Sequence, residues 1–430
     1  MAFVGGPAWA LIHCLLAQAV SVTAAERTEV RSRVQASELE YDADTRPSVR
    51  LLLTTPTSTY SLGYAPTFTI LSIGREDSQP IVSQSLDGSV AARWERTTFS
   101  LSENVTYGTY NFRALSVAAQ PSASPPATTT PPAGGQTGTT PPVTTPPVTT
   151  PPAGQTATAQ QVRVLDQVVR TASSNTTAQI QHVFSPVTVG TVSGGYEYAG
   201  GIDADSRAVL PLRRGPTATL SVLHRVGRAD NLTTAATGLY VDTGTTMHGA
   251  IFDAHQEWTH RWLTALSTTL AAGVAVARAE SNGFPRRLTE AVVPVGTASV
   301  DYRFGYAGGK MRTLAALQFL PVIDRFTGDF DQRVQWMLDV NWTRYHLSLI
   351  ANFSGAQSVL PEVVFTGAAT SPFNYYAGSF SALYRFGTEL SLETGLRGSW
   401  VRIRTVGADP VPLLWSLFVA ATYTIGPAYL

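Results

Sequence analysis

Residues 333 to 343, RVQWMLDVNWT, alternate without a break. Val334, Trp336, Leu338, Val340 and Trp342 fall on one parity, and Arg333, Gln335, Met337, Asp339, Asn341 and Thr343 on the other. Successive side chains of a β-strand point to opposite faces, so this alternation predicts a strand with one apolar and one polar face. FDAHQEWTHRW sets Phe252, Ala254, Trp258 and Trp262 against Asp253, His255, Glu257 and Arg261. VDYRFGY sets Val300, Tyr302, Phe304 and Tyr306 against Asp301 and Arg303, and LSLETGLRGSW sets Leu390, Leu392, Leu396 and Trp400 against Glu393, Arg397 and Ser399. The pattern predicts about seventeen strands from residue 47 onwards, and the segment 33–43 supplies one more to make the number even.

The connections alternate in length. WERTT, FSPVT, VGRAD, HRWLT, YAGGK, TRYH and FGTE are tight, whereas 72–87, 112–176, 201–215, 279–291 and 355–372 are long. Tight turns on one rim and long loops on the other are the habit of a transmembrane β-barrel. The aromatics favour the barrel over a string of soluble sandwich domains. Trp94, Trp258, Trp262, Tyr302, Tyr306, Trp342, Tyr384 and Phe386 share the apolar face close to tight turns, and Trp336 and Trp400 lie on the same face. A soluble core scatters its large aromatics, and a membrane barrel gathers them at the interface, where ring and polar atom meet lipid and water. The fold class expected is therefore all-β: a transmembrane antiparallel barrel of about 18 strands, with 16 as the next even number and both termini periplasmic.

The first 25 residues are apolar, end in small residues and read as a secretory leader cut after Ala24 or Ala25. The lone Cys14 falls inside it, leaving a mature chain with no disulfide framework and no thiol chemistry. After residue 26 no apolar run reaches the length of a spanning helix. The organisation expected is a leader at 1–25, a first part of the barrel at 26–119, a Pro/Thr-rich low-complexity loop at 120–158 and the rest of the barrel at 159–430. TTPPVTTPPVTTPPA, at 139–153, cannot join a sheet and forms an extended polyproline spacer on the long-loop, extracellular side. In QQVRVLDQVV, Val162, Leu165, Val168 and Val169 have helical spacing, for a short plug over the mouth or, alternatively, the first turn of the next strand.

Basic and acidic residues number 30 each in 430, so the net charge gives no reason to expect nucleic acid as a partner. The polar face of the strands carries Arg93, Glu95, Arg225, Asp253, His255, Glu257, Arg261, Asp301, Arg303, Arg333, Asp339, Arg385, Glu393 and Arg397. If the aromatics meet lipid, these line the lumen. Neither sign prevails, which suits neutral or mixed-charge solutes, or Arg–carboxylate pairs that brace the wall.

TSTYSLGYAPTFTIL, ERTTFSLSENVTYGTYNF and VSGGYEYAGG resemble recurring stretches of outer-membrane barrel proteins of myxobacteria and their relatives, over most of residues 45–430. Most of that group have no assigned activity, and some are similar to barrels through which bacteria release exopolysaccharide. The resemblance implies an export barrel with the outer-membrane bilayer, the barrel-assembly machinery and periplasmic polysaccharide-export components as partners. ATYTIGPAYL departs from the usual aromatic end of an assembly signal.

Catalysis finds little support. Ser185 lies near His182 in sequence and His255 lies between two acids, but neither has a third group to orient it. Asp324, Asp329 and Asp331 match no calcium-loop spacing. No metal, cofactor or catalytic residue is expected. The function expected is a passive outer-membrane pore for export of a surface polysaccharide or other polar solute. The alternative is a structural or adhesion barrel that presents the Pro-Thr stalk, and an outer-membrane enzyme ranks third.

Overall fold

The computed structural model describes residues 19–35, 38–71, 73, 80–111, 168–244, 247–281, 287–323, 330–359, 373–403 and 414–429. They form eighteen strands: β1 (Ala19–Gln35), β2 (Glu38–Thr54), β3 (Ser58–Ile70), β4 (Pro80–Arg93), β5 (Thr97–Asn111), β6 (Val168–Ser185), β7 (Thr188–Gly201), β8 (Arg213–Arg225) and β9 (Asp230–Asp242), then β10 (Met247–Leu263), β11 (Leu266–Ser281), β12 (Arg287–Tyr306), β13 (Gly309–Ile323), β14 (Phe330–Arg344), β15 (Leu347–Ser358), β16 (Phe373–Arg385), β17 (Leu390–Ile403) and β18 (Leu414–Tyr429). Each strand runs antiparallel to the one before it, and β18 pairs with β1. The sheet therefore closes with no edge, the condition that lets strands rather than helices cross lipid.

The seventeen strands expected from residue 47 onwards are β2 to β18. The eighteenth is not the segment 33–43. Arg33 pairs with Glu40, Val34 with Leu39 and Gln35 with Glu38, so 33–35 and 38–43 belong to two antiparallel strands and β1 runs back to Ala19. Residues 19–25, expected in the leader, are the first part of β1, and residues 1–18 lie outside the described set, as do the Pro/Thr stretch 120–158 and positions Val162 and Leu165 of the expected plug. Val168 and Val169 open β6 as strand residues. Strands also reach further toward the long-loop rim than the sequence suggests: β4 begins at Pro80 and β12 at Arg287.

The tight turns show why the chain reverses where it does. Between β12 and β13, Ala307 and Gly308 both have positive φ, 50° and 73°, the conformation of a two-residue hairpin turn whose twist matches that of its strands. On the opposite rim the β7–β8 connection carries a single turn of helix, α1 (Ala204–Val209). The Ser206 amide donates to the Asp203 carboxylate at 2.7 Å, and this bond holds the Asp203 carboxyl below the usual range. A Cβ at Gly201 would stand 2.3 Å from the Ser206 carbonyl carbon, so only glycine lets the helix lie this close to β7.

Which face is inner follows from contacts between strands that are not neighbours. Gly249, Ile251, Asp253 and His255 share one face of β10, and a Cβ at Gly249 would stand 2.7 Å from Cδ1 of Ile323, on β13. Strands three apart around a closed wall meet only across its concave side. Cross-strand partners share a face, so the register carries this assignment around the barrel.

Candidate functional site

On that assignment, Trp94, Trp258, Trp262, Tyr302, Tyr306, Trp336, Trp342, Tyr384, Phe386 and Trp400 are outward or at the outer margin of tight turns. Trp94, Trp262 and Tyr306 are 58%, 57% and 63% exposed, so the isolated barrel leaves bare what a bilayer would cover. They form two groups. Trp94, Trp258, Trp262, Tyr302, Tyr306, Trp342, Tyr384 and Phe386 lie toward the tight turns, where the Trp342 indole donates to the Tyr306 carbonyl at 2.8 Å and the Trp258 indole to Asp230 at 3.0 Å. Farther along the strands Tyr376 stacks on Trp400, with centroids 5.3 Å apart, and Trp336 stands 6.3 Å from Tyr376. Gly355 lies between Trp336 and Tyr376 in register, and a Cβ there would meet the Trp336 ring at 2.6 Å. The glycine lets the indole cross its strand.

The polar residues singled out from the sequence occupy the other face. Asp253, His255, Glu257 and Arg261 follow one another along β10, with Asp301 and Arg303 on β12, Arg333 and Asp339 on β14, Arg385 on β16, and Glu393 and Arg397 on β17. Arg93 and Arg225 end β4 and β8 at the tight-turn rim. Glu95 departs from the expectation: it stands in the turn 94–96, so no ladder fixes its direction. Within the set, His255 bonds Asp253 at 2.7 Å, while Asp301 accepts from Arg303 at 2.9 Å and from both Nε and Nη2 of Arg312 at 3.1 Å. His182 does not meet Ser185. It faces outward, bonds Thr97 at 2.8 Å and packs edge-on against Phe184, while Ser185 accepts from the Val187 amide. Asp331 contacts Arg333 and Ser358, each at 2.5 Å, and Asp324 and Asp329 lie outside the described residues.

The densest charge cluster escaped the sequence reading. On the inner face of β1, β2 and β17, Arg27 contacts Glu29 at 3.1 Å and Glu393 at 2.9 Å, and Arg397 reaches Glu29 at 2.8 Å. Arg31 lies 3.3 Å from both Asp42 and Asp44, and Arg46 lies 3.2 Å from Asp44. Asp42 is 1% exposed, and Glu29 and Asp44 are 3% exposed. The Arg397 guanidinium also sits 3.9 Å from the Phe418 ring centroid. This ion-pair lattice spans the seam where the first and last strands close the barrel. The signal was legible: from Arg27 to Arg31 and from Glu38 to Asp44 every second residue is charged and the residues between are not.

A second departure narrows the interior. The β12–β13 ladder ends at Gly296–Phe319, although β12 continues to Arg287 along β11 and β13 continues to Ile323 along β14. Pro294 and Pro321 stand beside the gap, and neither has the N–H a longer ladder would need. Beyond the gap the ends of β13 and β14 lean inward over their neighbours. Ile323 joins Val241, Ile251, Ala275 and Ala277 in a buried apolar cluster, and the Gln332 side-chain amide donates to the Pro294 carbonyl at 3.0 Å. By parity Ile323 and Gln332 belong to the outer face; the bend lays that face on the inner wall of β10–β12. A cavity of about 70 Å³ beneath it is lined by Asp253, His255, Thr237, Thr297, Gln318 and apolar side chains.

A closed 18-stranded antiparallel wall, with an aromatic apolar exterior and a polar interior, defines an outer-membrane β-barrel of channel size. A model of the EpsX exopolysaccharide export family matches residues 13–423, and the chain belongs to that family. It is an outer-membrane channel for export of a polysaccharide or other polar solute. No curated protein matches the chain. Similar solved structures include OccK8 (OprE) of Pseudomonas aeruginosa, 9% identical over 95% of this chain and 98% of that one, with a TM-score of 0.43. OccK2 (OpdF) of the same organism in complex with glucuronate is 8% identical over 94% and 98%, with a TM-score of 0.42. OccAB3 of Acinetobacter baumannii is 10% identical over 94% and 99%, with a TM-score of 0.41.

Proposed function

We propose that this barrel is a passive, non-catalytic conduit through which a surface polysaccharide leaves the periplasm. The observation that supports it best is the match to the export family over residues 13–423, on a chain whose sheet closes completely. On this reading Arg93, Arg225, Asp253, His255, Glu257, Arg261, Asp301, Arg303, Arg333, Asp339, Arg385, Glu393 and Arg397 border the route. Both described ends lie on the tight-turn rim, which supports a periplasmic position for the termini and an extracellular one for the long loops. The partners are the outer-membrane bilayer, the barrel-assembly machinery and periplasmic export components that deliver the polymer. The Tyr-x-Pro and Tyr-Gly motifs support kinship with the myxobacterial barrels of this kind. Deleting the gene tests the reading: surface polysaccharide disappears while the cell still makes the polymer. Unchanged surface polysaccharide in the deletion strain overturns it.

A further inference from the structure

The inner wall is not uniform, and its parts leave one polar surface uncovered. Along β1, β2 and β17 the charges of the closing lattice are engaged with one another at 2.8–3.3 Å, and Arg50 of β2, in register with Gly63, stands outside it. Along β10–β12 the inward-leaning ends of β13 and β14 cover the upper wall, where Ile323 packs on Val241, Ile251, Ala275 and Ala277. Between these, β3 to β9 present hydroxyls and amides. One row of register partners crosses five strands: Ser100, Gln179, Ser193, Thr219 and Thr237. Neighbouring rows continue it, with a Ser61–Ser89 hydrogen bond of 2.7 Å on one side. The charges on this wall are few. Among the described residues Asp87 lies at mid-height in one row with Gly63 and with Arg50 of β2, Glu197 lies 3.5 Å from Arg213 toward the long loops, and Arg93 and Arg225 lie at the tight-turn rim.

We infer that the polymer is an uncharged glycan and that it travels along the hydroxyl and amide wall of β3–β9. The inference rests on the export reading above and narrows it to a substrate class. A sugar hydroxyl both donates and accepts, and so does each Ser, Thr or Gln on this wall. A glycan can therefore exchange one set of partners for the next as it slides, and no single site holds it strongly. Passage needs binding that is weak and repeated. Asp87 shares its row with Arg50 of β2, across Gly63, so this wall carries no excess of positive charge at mid-height with which to hold the carboxylates of a uronic-acid polymer.

The test uses the full chain in planar bilayers and in detergent, with oligomers of a neutral α-glucan and of polygalacturonate at matched length. The glucan is expected to block the current, and to bind in calorimetry, about tenfold more tightly than the uronate, whose carboxylates find hydroxyls and amides but no excess of cations on this wall. Thr219→Val removes one hydroxyl without adding charge, and it is expected to weaken the glucan block. Gln179→Glu, checked for folding by its heat-modifiable migration, is expected to weaken uronate binding further. Tighter binding of the uronate overturns the inference. Current with no block by either oligomer overturns it too, and leaves the channel intact. Glucan binding to a silent barrel keeps the inference and overturns the channel, and a barrel that neither conducts nor binds overturns both.

Discussion

At the scale of single residues, two positions show how local chemistry holds the wall. Glu29 is the hinge of the closing lattice, since it accepts from both Arg27 and Arg397 and is almost wholly buried. Removing one partner of a buried ion pair leaves the other charge uncompensated, at a cost of about 3 kcal/mol. Glu29→Gln is therefore expected to lower the urea midpoint of the folded barrel in detergent, with its partial rescue in Glu29→Gln/Arg397→Gln marking the interaction as direct. Equal midpoints for wild type and Glu29→Gln would show the lattice to be idle. Gly355 is the second position. An alanine there would press on Trp336, and overpacking of this kind costs about 1–3 kcal/mol. Gly355→Ala is expected to lose that stability, and much less of it in the Trp336→Ala background, where the obstruction is gone. Additive losses would mean that the glycine serves its backbone rather than the indole. Both contacts join residues far apart in sequence, Glu29 with Arg397 and Trp336 with Gly355. Alternation could put Trp336 and Arg397 on opposite faces, and that much was legible. Which side chains touch depends on register between strands, and a single sequence carries no signal for that.

At the scale of elements, the strands were legible because each repeats one pattern, apolar outward and polar inward, dictated by lipid on one side and water on the other. β1 was not read, because an apolar start ending in small residues resembles a leader more than a strand. Its first residues nonetheless pair on both sides, Ala24 with Val49 and Ile425, Ala25 with Ser48 and Thr424. A chain beginning at Glu26 would leave those ends of β2 and β18 without partners. It is expected to unfold at lower temperature than a chain beginning at Ala19, judged by loss of heat-modifiable migration, and equal melting would show the first turn of β1 to be dispensable. The inward lean of β13 and β14 was not legible for a different reason. Ile323 and Gln332 keep outward parity, and only the interrupted β12–β13 ladder lays that parity on the inner wall. Ile323→Asp places a carboxylate among Val241, Ile251, Ala275 and Ala277, where burial of an unpaired charge is costly. The hairpin end is then expected to lift away and the single-channel conductance to rise. An unchanged conductance would mean that this segment lies clear of the ion path.

At the scale of the whole barrel, charge is distributed so that neither sign commands the interior. The seam at β1, β2 and β17 balances Arg27, Arg31, Arg46 and Arg397 against Glu29, Asp42, Asp44 and Glu393. Opposite it, Arg303 and Arg312 offset Asp301, and Arg333 offsets Asp331. Rings of one sign select ions of the other, so these paired parts of the wall, whose charges cancel within a few ångströms, have little to select with. Their field also fades within a Debye length, about 8 Å in physiological salt, which is short beside the bore of a barrel of this strand number. Under a tenfold KCl gradient the reversal potential is therefore expected to lie near zero, with potassium and chloride permeabilities within about threefold of each other. Neutralising one side of the lattice should break this balance in a predictable direction. Glu29→Gln with Glu393→Gln frees Arg27 and Arg397 together, and the reversal potential should move toward that of chloride. A wild-type channel already selective for cations or anions would show that the pairing does not cancel the field, and that charge rather than hydrogen bonding sets what passes.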